Sequence, residues 1–166
     1  MKGTDRPLAA VACGHEITAA AAREVLEDGG NAFDAAIAAA CAACVAEPVL
    51  CSLAGGGYLL AAPAGRGAVA YDFFVDTPRQ RRPDAELDLY PIDADFGPAT
   101  QAFHIGLGSV ATPGMVAGLF AVHGDLCRLP MRRIVEPAVR AAREGVVVNA
   151  LQAYIFEVVS PIYVAT

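Results

Sequence analysis

Two cysteines at the spacing Cys41-x-x-Cys44 are the first side chains whose types could do chemistry. In other settings this spacing binds zinc or exchanges a disulfide. Zinc needs two further ligands, but the sequence has no second pair of this kind, and His15, His104 and His123 are scattered singly. Both cysteines fall within an alanine-rich run, which favours buried core thiols. We therefore predict no metal site.

The triplet Gly55-Gly56-Gly57 is a second candidate, because glycine-rich turns can cradle phosphate groups. It lacks the Lys-Ser/Thr of a P-loop and the spacing of a dinucleotide fingerprint. We interpret it as a tight connection that brings the backbone close to a neighbouring element before a buried strand. No nucleotide or other cofactor is predicted.

The composition limits the classes of protein to be considered. The chain has 166 residues, 55% of them hydrophobic and 18% charged, which indicates one compact, alanine-rich domain or part of one. Its formal net charge of -6 argues against binding to nucleic acid. The longest charge-free apolar stretch, 35–46, is too short to span a bilayer. The odd count of five cysteines favours reduced thiols over a disulfide framework.

The N-terminal sequence carries no apolar core of the kind that defines a signal peptide. We therefore expect the chain as given to be cytoplasmic. A periplasmic or secreted location stays open if the N-terminus is incomplete. The sequence stops just after Pro161 with no capping residues or polar tail, so we expect a longer parent protein.

Apolar periodicity predicts a chain in which helices position most of these residues. Asn31 is a typical helix N-cap, and Thr112-Pro113 has N-cap and N1 chemistry. Pro137 is expected to kink a helix in which Glu136 and Arg140 stand at ion-pair spacing. The predicted helices span about 17–28, 32–46, 113–123, 131–144 and 149–159.

The strands are fewer and shorter. An apolar run at 8–13 predicts a buried strand, and 58–62 with 68–74 predict a β-hairpin around the turn-prone 63–67. Four prolines among mixed charges at 77–101 predict an irregular surface excursion.

Three ordered segments resemble the γ-glutamyltransferase family of N-terminal-nucleophile hydrolases. They are residues 14–60, residues 108–119 (Gly-Ser-Val-Ala-Thr-Pro-Gly-Met-Val-Ala-Gly-Leu) and residues 129–145. The resemblance covers about 9–148 and is to the N-terminal part of the large subunit. It implies an α+β fold in which 1–166 is a single partial domain. That domain would be the N-terminal portion of an αββα sandwich, helix-rich with a few strands and a β-hairpin.

The resemblance also implies an activity. Family members transfer or hydrolyse γ-glutamyl or related acyl amides, as in glutathione metabolism, after self-cleavage frees a threonine that uses its own amine as base. Such a residue begins a new chain with structure after it, which none of Thr77, Thr100, Thr112 and Thr166 does. We predict no catalytic residue here and an inactive chain in isolation. The expected partner is a missing C-terminal region or small subunit, and no cofactor is implied.

Phe74 departs from the family pattern. Residues 72–78 read Asp-Phe-Phe-Val-Asp-Thr-Pro, and the resemblance puts at Phe74 an arginine that grips the α-carboxylate of the donor. A phenyl ring cannot form that charge-assisted pair. A donor other than a free γ-glutamyl amino acid, as in the acylase-like branch, is one alternative. In another alternative, Arg79, Arg81 or Arg82 reaches back and takes the role of the missing arginine, although clustered arginines in such loops usually face solvent.

Two alternatives from other classes stay open. One is a truncated, catalytically inactive remnant or a non-catalytic interaction subunit, which would expose large apolar faces and associate. The other is a ligand-binding module built on the hairpin and the glycine triplet, for which the sequence offers no convergent polar set.

Overall fold

The computed structural model describes residues 9–165, and its first elements are two helices joined by a short turn. Helix α1 spans Glu16–Glu27 and α2 spans Ala32–Ala46. His15 caps α1, since its Nδ1 accepts the N–H of Ile17 at 3.2 Å. Gly29 has a φ of 89°, a left-handed conformation that reverses the chain between the helices. Both helices confirm the sequence prediction.

Four further α-helices follow in the described part of the chain. They are α3 (Met115–Leu126), α4 (Met131–Ile134), α5 (Glu136–Glu144) and α6 (Ala150–Val164). The expected start at Thr112 was wrong, because Thr112 pairs with Asp76 in a β-bridge and the helix begins after Gly114. The single helix predicted at 131–144 is two helices, which separate at Val135. Pro137 lies in the first turn of α5, where its missing N–H costs no hydrogen bond.

Helix α2 lies at the centre and packs against α1, α3, α4 and α5. Its many alanines let the neighbouring helices approach closely on several sides. The core beside it includes the fully buried side chains of Val25, Ile37, Val122 and Ile134. Each such side chain contributes about 1.5 to 3 kcal/mol by leaving water. This cluster fixes the helices that support the strands.

The strands form two separate hairpins. Strand β1 (Tyr58–Ala61) pairs antiparallel with β2 (Val69–Asp72), which confirms the predicted hairpin. Strand β3 (Tyr90–Asp95) pairs antiparallel with β4 (Thr100–Ile105), so the prediction of irregular chain was wrong over 90–101. Pro91 is tolerated because a two-stranded sheet has outer edges that need no N–H donor. The α+β class is confirmed.

The second hairpin has its own small core. Helix α6 packs against β3 through Ala94, Val158 and Val159, all of them buried. Asn149 and Gln152 form a capping box at the start of α6. The side-chain amide of Gln152 also donates to the carbonyl of Ala46. This contact fastens α6 to the end of α2.

The predicted strand at 8–13 was wrong for the residues that the structure describes. Residues 9–13 are exposed and have no strand structure, whereas Leu8 lies outside the described residues. A strand needs a hydrogen-bonded neighbour, and neither hairpin of the described residues pairs with this segment.

An ion-pair network joins α1 to α4 and α5. Arg133 contacts Glu24, Asp28 and Glu136, and Arg140 contacts Glu24. The expected side-chain pair between Glu136 and Arg140 was wrong, because Glu24 on the neighbouring helix takes Arg140 instead. Packing between helices decides which residues form ion pairs here, and spacing along one helix cannot predict it.

Candidate functional site

Phe74 lies on a short extended segment that leaves β2 and runs between two other parts of the chain. On one side, Phe73 and Gly57 exchange backbone hydrogen bonds of 3.1 and 3.2 Å. On the other side, Asp76 and Thr112 exchange bonds of 3.1 and 2.7 Å. We call residues 55–57, 73–76 and 112–115 together the glycine junction. It joins segments that are far apart in the sequence.

Glycines are required at this junction by close backbone approach. A Cβ on Gly56 would lie 2.7 Å from the carbonyl oxygen of Phe73, and one on Gly114 only 2.2 Å from that oxygen. The carbonyl of Gly55 accepts the N–H groups of Gly114 and Met115 at 3.1 and 3.0 Å. It therefore serves the unpaired donors at the start of α3. The interpretation of the triplet as a tight connection is confirmed, but the strand that follows it, β1, is largely exposed and not buried as predicted.

The two phenylalanines at the junction point in opposite directions, as neighbouring residues of an extended segment do. Phe73 packs against the helical core and lies over Gly118 of α3. Phe74 is 54% exposed, and its ring stacks on that of Tyr58 at 5.5 Å between centroids and 11° between planes. Its N–H donates to Asp72 at 3.1 Å. The result is an exposed aromatic pair beside the junction.

None of the three downstream arginines bonds to the junction within the described residues. Arg81 pairs with Asp84 at 3.1 Å, and both side chains are exposed. Arg79 and Arg82 are exposed as well. The arrangement fits the expectation of a solvated face, and within the described residues none of the three arginines stacks on the ring of Phe74.

The cysteines of α2 are half-buried thiols. Burial, together with a smaller contribution from Cys51, raises the pKa of Cys41 to about 11 and that of Cys44 to about 12. They are protonated at neutral pH, which suits the predicted core role. Among residues 9–165 no cluster of three or more His, Cys, Asp or Glu side chains is arranged to hold a metal ion.

Two histidines have structural partners. His15 is a helix cap. The Nε2 of His123 lies 2.9 Å from the carbonyl oxygen of Leu129, a contact that the sequence did not suggest. Both contacts hold the backbone at a helix end, and neither forms part of a nucleophile and base pair.

Tyr58 is the residue of this region that sequence reasoning missed. It stands opposite Asp72 in the hairpin register, which places it next to the segment that carries Phe74. The available signal was the alternation of the hairpin. An exposed aromatic residue at the start of one strand lies beside the residues that follow the end of the other strand.

No helix in the described residues has the length and apolar character needed to cross a membrane.

Comparisons with known proteins place the chain among related sequences and folds. The sequence profile described as Gamma-glutamyltranspeptidase matches residues 18–161. The chain is 33% identical over 126 residues to a glutathione hydrolase proenzyme of Escherichia coli strain K12, covering 76% of this chain and 21% of the relative. It is 31% identical over 144 residues to the Acylase ACY 1 proenzyme of Pseudomonas sp. strain V22, covering 84% and 25%.

The fold is also that of solved structures. The chain superposes on a gamma-glutamyltranspeptidase of Helicobacter pylori with a TM-score of 0.81 at 23% identity, covering 98% of this chain and 45% of that chain. It therefore spans about a fifth to a quarter of the length of the two curated relatives, and just under half of the solved chain.

Proposed function

Because the chain belongs to the gamma-glutamyltranspeptidase family, we propose that the complete protein is an acyl-transfer enzyme. It would transfer or hydrolyse γ-glutamyl or related acyl amides. The observation that supports this most is the match over 18–161, which includes every segment of the glycine junction. The chain alone would be inactive, and the remaining sequence of the complete protein would be its partner.

In the proposed mechanism a threonine freed at a new N-terminus attacks the carbonyl of the amide donor. Its α-amine takes the hydroxyl proton, and the amine leaving group departs as an acyl-enzyme forms. Water or an amine acceptor then resolves the acyl-enzyme, with hydrogen-bond donors stabilising the oxyanion at each step. Neither the nucleophile nor these donors belongs to the residues described here. The glycine junction would form one wall of the donor site.

We further propose that Phe74 stands where a family arginine would bind the donor's α-carboxylate. Phe74 offers an apolar ring stacked on Tyr58, and no arginine bonds to the junction in the part of the chain that the structure describes. A donor without an α-carboxylate would lose nothing at such a wall. The similarity to the Acylase ACY 1 proenzyme also favours a donor without an α-carboxylate. An acylase is therefore the second candidate within this function.

The test of the donor compares two chromogenic amides that differ in one group. The complete protein would be assayed with γ-glutamyl-p-nitroanilide and with 4-aminobutyryl-p-nitroanilide, which lacks only the α-carboxylate. Phe74→Arg should raise kcat/KM for the first compound alone. A charge-assisted pair is worth about 1.5 to 3 kcal/mol, and the half-exposed position favours the lower figure, so we expect about tenfold.

A matched control adds the same charge elsewhere on the hairpin. Leu60 is 77% exposed on β1, so Leu60→Arg should leave both kcat/KM values unchanged. Equal effects of the two arginine variants would mean that general charge attracts the donor. No effect of Phe74→Arg on either compound would remove Phe74 from the carboxylate site. The non-catalytic alternative would be favoured if the protein from the complete reading frame released no p-nitroaniline from any acyl amide.

A further inference from the structure

Two thiols lie almost in contact at the end of α2. The Sγ atoms of Cys44 and Cys51 are 3.3 Å apart. The turn after the helix folds Cys51 back, since its N–H donates to the carbonyl of Glu47 at 3.0 Å. The Sγ of Cys51 also lies 3.9 Å from the carbonyl oxygen of Ala40, one turn further back. Backbone hydrogen bonds therefore hold the pair together.

The pair is reachable from solvent. Cys44 and Cys51 line an apolar groove of about 660 Å³ between α2, the following turn, α3 and α5. Other side chains of the groove are well exposed: Leu53 is 51% accessible, Phe120 57% and Val139 41%. A small, uncharged reagent can therefore approach the two sulfurs along an apolar surface.

We propose that Cys44 and Cys51 form a site of reversible cross-linking by small-molecule disulfides. The thiolate of Cys51 attacks one sulfur of the reagent, which breaks its S–S bond and releases one thiolate. The thiolate of Cys44 then attacks the Cys51 sulfur of the mixed disulfide and displaces the second thiolate. The two protein thiols lose two protons and two electrons, and the reagent is reduced to two thiols.

The other cysteines are placed differently. Cys41 lines the same groove but makes no sulfur contact comparable to the 3.3 Å pair in the described residues. Cys127 lies beside the buried carboxylate of Asp34, and burial together with that charge raises its pKa to about 12. The cross-link should therefore be selective for one pair. Because burial raises the pKa of Cys44 to about 12, its closure should become faster as the pH rises.

The cross-link would act on the loop that leads to the glycine junction. Cys51 begins the segment whose Gly55 carbonyl caps α3 and whose Gly57 pairs with Phe73. A disulfide would fix the start of this segment to α2. Oxidation should therefore slow amide hydrogen exchange at residues 52–57, and reduction with dithiothreitol should restore it.

Mass spectrometry of the complete protein tests the site. After incubation with 2-hydroxyethyl disulfide, free thiols are blocked with N-ethylmaleimide and the protein is cut with chymotrypsin. Cleavage after Leu50 separates Cys44 from Cys51, so the expected product is one cross-linked pair of peptides, lighter by two hydrogens. Cys44→Ser and Cys51→Ser should abolish this product, and Cys41→Ser should retain it.

Three results would overturn the proposal. They are cross-linking through Cys41 at a comparable yield, mixed disulfides that never close, and links between separate protein molecules. None of these results depends on acyl-transfer activity, so the cross-linking proposal can be supported or rejected independently of the proposed function.

Discussion

A buried carboxylate joins the start of α2 to the loop after α3. Asp34 has no exposed surface. One carboxylate oxygen accepts the N–H of Asn31 at 2.7 Å, and the other accepts the N–H groups of Arg128 and Leu129, each at 3.0 Å. Three backbone donors from two distant segments therefore depend on one side chain. Asp34→Asn keeps the shape and removes the charge, which makes it the sharpest perturbation of this contact.

The size of the effect follows from the bonds. The asparagine oxygen can still accept from one side, but its amide nitrogen would face a backbone N–H on the other. At least one buried donor loses its partner, which costs about 1 to 3 kcal/mol, and the remaining bonds lose their charge assistance. We expect Asp34→Asn to lower the free energy of unfolding by about 2 to 4 kcal/mol.

A thermal scan of the complete protein measures the loss, with Asp84→Asn as the control. Asp84 is exposed, and its one ion pair within residues 9–165 is with Arg81 at the surface, so its change should be within experimental scatter. The charge of Asp34 also helps to raise the pKa of Cys127, so Asp34→Asn should move the alkylation of Cys127 to lower pH. Unchanged stability together with an unchanged Cys127 profile would refute the role of Asp34.

Two further predictions concern the packing and the charges of the helices. Gly118→Ala would place a Cβ 2.1 Å from the Cγ of Phe73, so we expect overpacking that destabilises the protein by about 1 to 3 kcal/mol in denaturant titration. Burial opposes ionisation of Glu24, but hydrogen bonds from Arg140 and Arg133 prevail and lower its pKa below the usual 4.5. A carboxylate whose pKa is lowered in the folded state stabilises the protein at pH values above its unfolded pKa. This stabilisation is lost as the pH falls through the folded pKa. Glu24→Gln should therefore lower Tm near neutral pH, and its Tm should converge with that of the wild type as the pH falls through the lowered pKa of Glu24.

Matched variants control both predictions. Gly124 lies in the same helix as Gly118, but a Cβ there meets nothing within 4 Å, so Gly124→Ala should stabilise slightly. Destabilisation of equal size by both alanines would contradict the steric argument. Glu27 forms a solvent-exposed pair with Arg23, so Glu27→Gln should leave the acid limb unchanged. A Glu24→Gln variant with the wild-type pH profile of Tm would contradict the electrostatic argument for Glu24.

Local chemistry made the first two helices and the first hairpin predictable. Asn31 is a strong cap, Gly29 supplies the left-handed turn, and the turn-prone 63–67 separates two apolar runs. The failures have one common cause, which is that distant parts of the chain compete for the same groups. Thr112 bonds across to Asp76 and therefore cannot cap α3.

The second hairpin and the aromatic pair were hidden for similar reasons. Prolines suggested irregular chain at 90–101, but α6, from the far end of the sequence, covers β3 and supplies its core. The stack of Phe74 on Tyr58 depends on hairpin register. The partner of Asp34 in the loop after α3 is 94 residues away in sequence. Spacing along the chain carries no information about contacts of this kind.

The central proposal is that this chain is the N-terminal part of a self-processing acyl-transfer enzyme. The most direct test is to express the complete reading frame that contains these residues and to determine the N-termini of the purified product. We predict two chains, the second beginning with threonine, and release of p-nitroaniline from an acyl amide. A single uncut chain without that release, or a reading frame that stops at Thr166, would contradict the claim.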